Sequence, residues 1–214
     1  MLKMNKFITL LSGGLDSPIA TYLMIKKKFH PIFLSFITSD DENHSLKNKI
    51  IQIANFLSKF LEPKVKLYLI KHDQNLEYFK NNCERKLTCI LCKRLMIRIA
   101  KIISEIENTN LIITGDILGE QASQTLDNLY IYNDLIKDCI LIRPLISCEK
   151  LEVINLSKRI GLYDICSISS ATCRYNPQFP ETHAKFNEVK TTEMNQNLEF
   201  LIEESLNKIE ILDF

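Results

Sequence analysis

The stretch LLSGGLDSPIA, Leu10 to Ala20, limits what this chain can fold into more than any other. Only five glycines occur in 214 residues, yet Gly13 and Gly14 stand side by side here. An apolar run, KFITLL (Lys6–Leu11), precedes them. A helical stretch, Asp16–Lys28, follows, with Pro18 in its first turn, where a missing N–H costs nothing. Strand, glycine turn and helix together aim backbone N–H groups and the positive end of the helix at one point, which suits an anion. Glycine is expected here for its access to positive φ and for close backbone approach. Ser12 and Ser17 add hydroxyl donors. The spacing is neither GxxxxGK[ST] nor GxGxxG. A plain turn in which Asp16 and Ser17 cap the helix is the simpler alternative.

Short apolar runs recur along the chain. Pro31–Ile37, Lys64–Ile70, Asn110–Thr114 and Cys139–Arg143 read as further strands. A polar loop, SDDENHS, leads into a helix that runs to about Leu61. Leu91–Ile106 is a helix with Leu91, Leu95, Ile99, Ile102 and Ile106 on one face. Glu149–Ile160 is a helix stopped by Gly161, and a last helix spans about 184–209. Residues 76–88 and 163–182 carry no clear period. Strands alternating with helices predict an α/β fold, a parallel sheet with helices on both faces. One domain over 1–183 carries the motifs, with 184–214 as its C-terminal helical extension.

Hydrophobic residues make up 46% of the chain, enough for a sizeable core. With 27 basic and 26 acidic side chains, a basic surface over the whole molecule is excluded, so nucleic acid would need a local patch. The apolar run Phe7–Leu11 is too short for an export signal, and no run approaches a membrane span. The expectation is a soluble, cytoplasmic protein with no membrane partner. Seven cysteines, an odd number, argue against a disulfide framework. Cys139 and Cys148 read as buried small apolar residues.

SGGLDS (Ser12–Ser17) matches the SGGxDS loop of the ATP pyrophosphatase (PP-loop) superfamily. Three later blocks follow in order: LTCILCKRLMIRIAKII, LIITGDILGEQASQTLDNL and LIRPLISCEKLEVINLSKRIGLYDI. Together they resemble the catalytic domain of the tRNA 4-thiouridine synthetases (tRNA uridine sulfurtransferases), from about residue 5 to 190. Asp116 stands where the family has the glutamate of TGE, and Glu149 where it has the aspartate of a DK pair. The resemblance implies a Rossmann-like (adenine nucleotide alpha hydrolase) fold. It implies that ATP, with Mg2+, is cleaved between its α and β phosphates to adenylate a uridine carbonyl oxygen in tRNA. Sulfur then replaces that oxygen, giving 4-thiouridine.

It also implies roles for particular residues. Ser12, Gly13, Gly14, Asp16 and Ser17 would hold the pyrophosphate half of ATP. Ser35 and Phe36 would hold adenine through their backbone, and Thr114, Gly115, Asp116 and Gln121 would bind ribose or metal. Asp16 would orient magnesium or substrate, and Lys150 would stabilise charge developing at the α-phosphate. Cys173, in ATCRYNPQFPETH, would handle sulfur. Plainer roles exist for each: Lys150 as an exposed helix lysine, TGD as a strand-end turn, Phe36 as core.

Three readings of the sulfur site stay open. In the preferred one Cys89, Cys92 and Cys173 hold a 4Fe-4S cluster, with Cys166 as rival third ligand. In the second Cys173 carries a persulfide that Cys89 or Cys92 resolves; in the third the CxxC binds zinc with two further ligands. Sulfide or a cysteine desulfurase would supply the sulfur. Arg94, Arg98 and Lys101 recur at helical spacing and would meet tRNA phosphates, unless they form a solvated helix face. Family members usually add an RNA-binding region with a THUMP domain, and some a rhodanese domain. The expectation is a catalytic domain lacking both, with tRNA binding helped by a separate RNA-binding partner or a second copy in a homodimer. The rival functions are thiolation of another tRNA position or a small molecule, and a nucleotide-binding subunit without turnover.

Overall fold

The computed structural model describes residues 5–38, 45–62, 64–170 and 173–214. The polar loop expected over 39–45 falls, up to residue 44, outside the described residues. In β1 (Lys6–Leu10) the side chains alternate, Phe7 toward one core and Ile8 toward the other. The same alternation runs through β2 (His30–Ile37) and β3 (Lys66–Lys71), with Phe33 and Leu69 on one face and Leu34 and Ile70 on the other. A strand buried on both faces reads as a continuous apolar run, the pattern of a parallel sheet.

β1, β2, β3, β4 (Leu111–Ile113) and β5 (Ile140–Ile142) run parallel. Among the described residues the sheet has six strands in the order β5-β4-β1-β2-β3-β6. One face is covered by α1 (Asp16–Lys26), α2 (Ser45–Ser58), α6 (Lys150–Ile160) and α7 (Tyr163–Ser167), through Ile19, Ile53, Val153 and Cys166. The other is covered by α3 (Asp73–Asn82), α4 (Thr88–Ile106), α5 (Leu126–Ile131), α8 (Phe186–Met194) and α9 (Leu198–Asn207), through Phe79, Leu95, Leu129, Val189 and Leu201. Two layers of helices on a parallel sheet are the expected architecture. No helix among the described residues is long and apolar enough to cross a membrane.

Three expectations need correction. The last helix is broken: Asn197 accepts the Phe200 N–H at 3.2 Å and starts α9 anew, and the chain then ends in β6 (Glu210–Asp213). β6 pairs antiparallel with β3, Leu67 opposite Leu212, so the sheet is not wholly parallel. Its pairing covers an edge that would otherwise be open. Of the mixed, basic stretch 76–88, residues 76–82 belong to α3, which buries Leu76 and Phe79. Ile106 is exposed, since α4 has run past the core there and the side chain buried in its place is Glu107, which accepts from Tyr68 Oη at 2.5 Å and Lys66 Nζ at 2.7 Å.

The strand order matters for function. The chain winds outward from β1 through β2 and β3, then returns to the other side of β1 with β4 and β5. The reversal opens a crevice between the carboxyl ends of β1 and β4, where open α/β sheets bind ligands.

Candidate active site

Both halves of that crevice are built from expected residues. Ser12, Gly14, Asp16 and Ser17 follow β1, and Thr114, Gly115 and Asp116 follow β4. With Gln121 they line one cavity of 360 Å³. The turn is closed by hydroxyls. Ser17 Oγ accepts the Ser12 N–H at 2.8 Å and lies 2.9 Å from Ser12 Oγ, while Ser12 Oγ accepts the Gly14 N–H at 3.2 Å. Leu15 occupies the N-cap of α1 and makes no side-chain cap, so Asp16 and Ser17 are not caps. Neither Gly13 nor Gly14 takes a positive φ; the glycines that do are Gly119 and Gly161. At Gly13 a Cβ would stand 2.7 Å from Leu46 Cδ1, the tip of a side chain that can turn aside. Gly115 is needed for space, but against the protein rather than a ligand: its Cβ would fall 2.4 Å from the Ser17 nitrogen.

Lys150 and Asp16 lie 134 positions apart, and Lys150 Nζ donates to both Asp16 oxygens at 2.7 and 2.8 Å. Lys150 is the first residue of α6, and Glu152 secures that helix end by accepting the Glu149 N–H at 2.8 Å. Glu120 adds a second carboxylate 3.5 Å from Lys150.

Asp116 is buried at the back of the cavity, with Lys93 and Arg143 both ion-paired to it. Thr114 Oγ1 donates to it at 2.8 Å. Burial works against its charge, but Lys93, Thr114 and Arg143 outweigh that and hold its carboxyl below the usual range. Its oxygens thus meet Lys93, Thr114 and Arg143. Gln124 Oε1 and Arg143 Nη2 are buried with no hydrogen-bond partner, and of the two residues Gln124 lines the cavity.

A second cavity, of 260 Å³, is lined by Cys89, Cys92 and Cys173 with Phe36, His72 and Asn176. Burial first, then the neighbouring sulfurs, push the Cys89 and Cys92 thiols up. Three cysteine sulfurs lining one cavity are a donor set that fits an iron–sulfur cluster. Among the described residues no three His, Cys, Asp or Glu side chains gather closely enough to hold a single metal ion. Met96 lines both cavities, so the two share a wall.

A family model described as "Thiamine biosynthesis protein (ThiI)" matches residues 3–198. The chain belongs to the ThiI family. A probable tRNA sulfurtransferase of Methanosarcina mazei is 35% identical over 211 residues, which is 97% of this chain and 51% of that protein. The chain thus spans about half the length of the curated relatives it matches. Among solved structures, a 4-thiouridine synthetase in complex with RNA and bound ATP aligns with a TM-score of 0.92 at 26% identity, over 98% of this chain and 55% of that one. The U34-tRNA thiolase NcsA of Methanococcus maripaludis, with its [4Fe-4S] cluster, shares the fold at 17% identity and a TM-score of 0.56, over 95% of this chain and 70% of that one.

Within this ThiI fold some expected residues lie elsewhere. Ser35 is buried and its hydroxyl donates to the Leu11 carbonyl at 2.7 Å, tying β2 to the loop without lining its cavity. Phe36 packs edge-on against His72 in the cysteine cavity. The cationic face of α4 is corrected too. Arg94 is fully buried, ion-paired to Asp134 and Glu193, so it is closed to phosphate. Arg98 also pairs with Glu193 and Lys101 with Asp138. Removing one partner of such a buried set costs about 3–5 kcal/mol, which marks Arg94 as structural. Lys93, Arg143 and His72 were missed as site residues. All three could have been sought by position: His72 and Arg143 directly follow β3 and β5 at the carboxyl edge, and Lys93 adjoins the CxxC.

Proposed function

We propose that the chain is the catalytic part of an ATP-dependent tRNA sulfurtransferase that converts a uridine to 4-thiouridine. The observation that carries this reading is the shared wall at Met96: a cavity suited to a nucleotide adjoins a cavity lined by three cysteines. A pyrimidine carbonyl oxygen is a poor leaving group. Attack by that oxygen on the α-phosphorus of ATP expels pyrophosphate and makes AMP the leaving group. A sulfur nucleophile at the same carbon then expels AMP.

The residues present suit these steps. Backbone amides of the Ser12–Ser17 turn and the front of α1 face the pyrophosphate half of ATP. Mg2+ accompanying the nucleotide would have Asp16 as its carboxylate. Lys150, held by Asp16 and Glu120, supplies a positioned cation for charge that develops at the α-phosphate. A 4Fe-4S cluster held by Cys89, Cys92 and Cys173 would supply the sulfur nucleophile when bound. The ATP in the 4-thiouridine synthetase structure and the cluster in the U34-tRNA thiolase support these assignments.

The test is turnover by purified chain, kept anaerobic, with ATP, sulfide and tRNA. One AMP released per base that gains near-ultraviolet absorption is expected. AMP without that absorption would point to another acceptor, and ADP in place of AMP would remove α-phosphate cleavage. Cys173→Ala should abolish thiolation while pyrophosphate release from ATP persists; thiolation that survives would take Cys173 out of the site.

A further inference from the structure

His72 follows β3 directly, and its ring is buried between Phe36, Asn75 and Cys92. The hydrogen bonds around it decide which nitrogen carries the proton. The Ser205 hydroxyl donates to the Leu201 carbonyl at 2.7 Å, so its oxygen is left to accept. Asn75 Nδ2 donates to that oxygen at 2.8 Å. The same amide nitrogen lies 3.1 Å from His72 Nδ1. An amide NH2 only donates, so Nδ1 is the accepting nitrogen. With Nδ1 accepting, the ring proton stands on Nε2. Nε2 stands 3.2 Å from Cys92 Sγ.

We propose that His72 is a positioning residue that donates one N–H hydrogen bond to the sulfur of Cys92, with Asn75 and Ser205 locking the tautomer. The inference rests on Cys92 belonging to the sulfur site. It gives His72 a direction: the ring cannot act as a base toward Cys92, because the nitrogen facing the sulfur already carries hydrogen. Its use is to orient that sulfur and to stabilise negative charge on it. It also brings the C-terminal helix α9 into the site, through Ser205.

Two measurements test this with the full chain. In metal-free protein, nitrogen-15 NMR of the imidazoles reads the tautomer directly. Wild type should show a neutral Nε2–H ring that is absent in His72→Gln. Asn75→Asp, which presents an acceptor to Nδ1, should move the proton there or add a second. An Nδ1–H tautomer in wild type overturns the proposal. In anaerobically reconstituted protein, iron and sulfide content is measured first, then the midpoint potential. A hydrogen bond to a ligand sulfur raises the potential. His72→Leu should therefore sit lower than wild type, and His72→Gln, whose amide still donates, should stay close to wild type. A loaded His72→Leu protein with the wild-type potential also overturns it. If wild type takes up no iron and sulfide, the cluster reading fails, and the NMR result still decides the hydrogen bond. If His72→Leu does not fold, the tautomer in wild type and in Asn75→Asp decides.

Discussion

Gly115→Ala probes the point where β4 meets α1. A Cβ at that position falls 2.4 Å from the Ser17 nitrogen, 2.6 Å from Ser17 Cα and 2.8 Å from the Asp16 carbonyl carbon. Ordinary van der Waals contact begins at 3.4 Å, so the nearest approach is short by about 1 Å. The atoms in the way are backbone, and no rotamer change relieves them. Either the end of β4 or the first turn of α1 must move. Overpacking of this kind costs about 1–3 kcal/mol. That turn carries Asp16 and Ser17, and a displacement of about 1 Å at reacting groups costs on the order of 10²-fold in rate. Urea denaturation should give a lower midpoint with an unchanged slope, and AMP release should fall by that factor. Gly14→Ala is the control for stability, because its Cβ would meet only Ser12 Oγ, at 3.4 Å, and its midpoint should match wild type. Wild-type midpoint and wild-type AMP release in Gly115→Ala would refute the claim that this contact sets the site.

Lys150→Ala should fold normally and lose roughly 10²–10³ in AMP release, read by single-turnover kinetics, since it removes a preorganised cation; a loss below tenfold would return Lys150 to the role of an exposed helix residue. Arg94→Leu should lower the urea midpoint by the equivalent of about 3–5 kcal/mol, because it strands Glu193 and Asp134, whereas Lys101→Ala should cost less than about 1 kcal/mol. Asp134 is opposed by burial, but its bonds to Arg94 and Lys190 hold its pKa at about 2, below the usual 3.8. Folded protein then binds fewer protons than unfolded, so this stabilisation is present above pH 3.8 and is lost as pH falls toward 2. Asp134→Asn should flatten that acid limb by at most about 2 kcal/mol in acid titrations of stability, and an unchanged limb would remove Asp134 as its source.

The sequence alone determined the outline. Alternating apolar runs and helical stretches carried the α/β class, and SGGLDS between a strand and a helix located the crevice at the end of β1. These are local patterns, set by backbone geometry and by which side chains a buried strand tolerates. The motif order also placed Asp16, Thr114, Asp116 and Lys150 in one site before any coordinates. Tertiary structure decided which charges are free. Arg94 and Lys93 are neighbours in one basic helix, yet Arg94 is buried against Asp134 and Glu193 while Lys93 holds Asp116 in the cavity beyond β1 and β4. Their partners come from β4's end, from the turn after α5 and from α8, 23 to 99 positions away, and local sequence carries no signal of such pairings. His72 is the same case: a single histidine after a strand acquires its direction only when Asn75, Ser205 and Cys92 close around it. Periodicity reports which face of an element is apolar; what a polar side chain meets there depends on which other elements pack against that face.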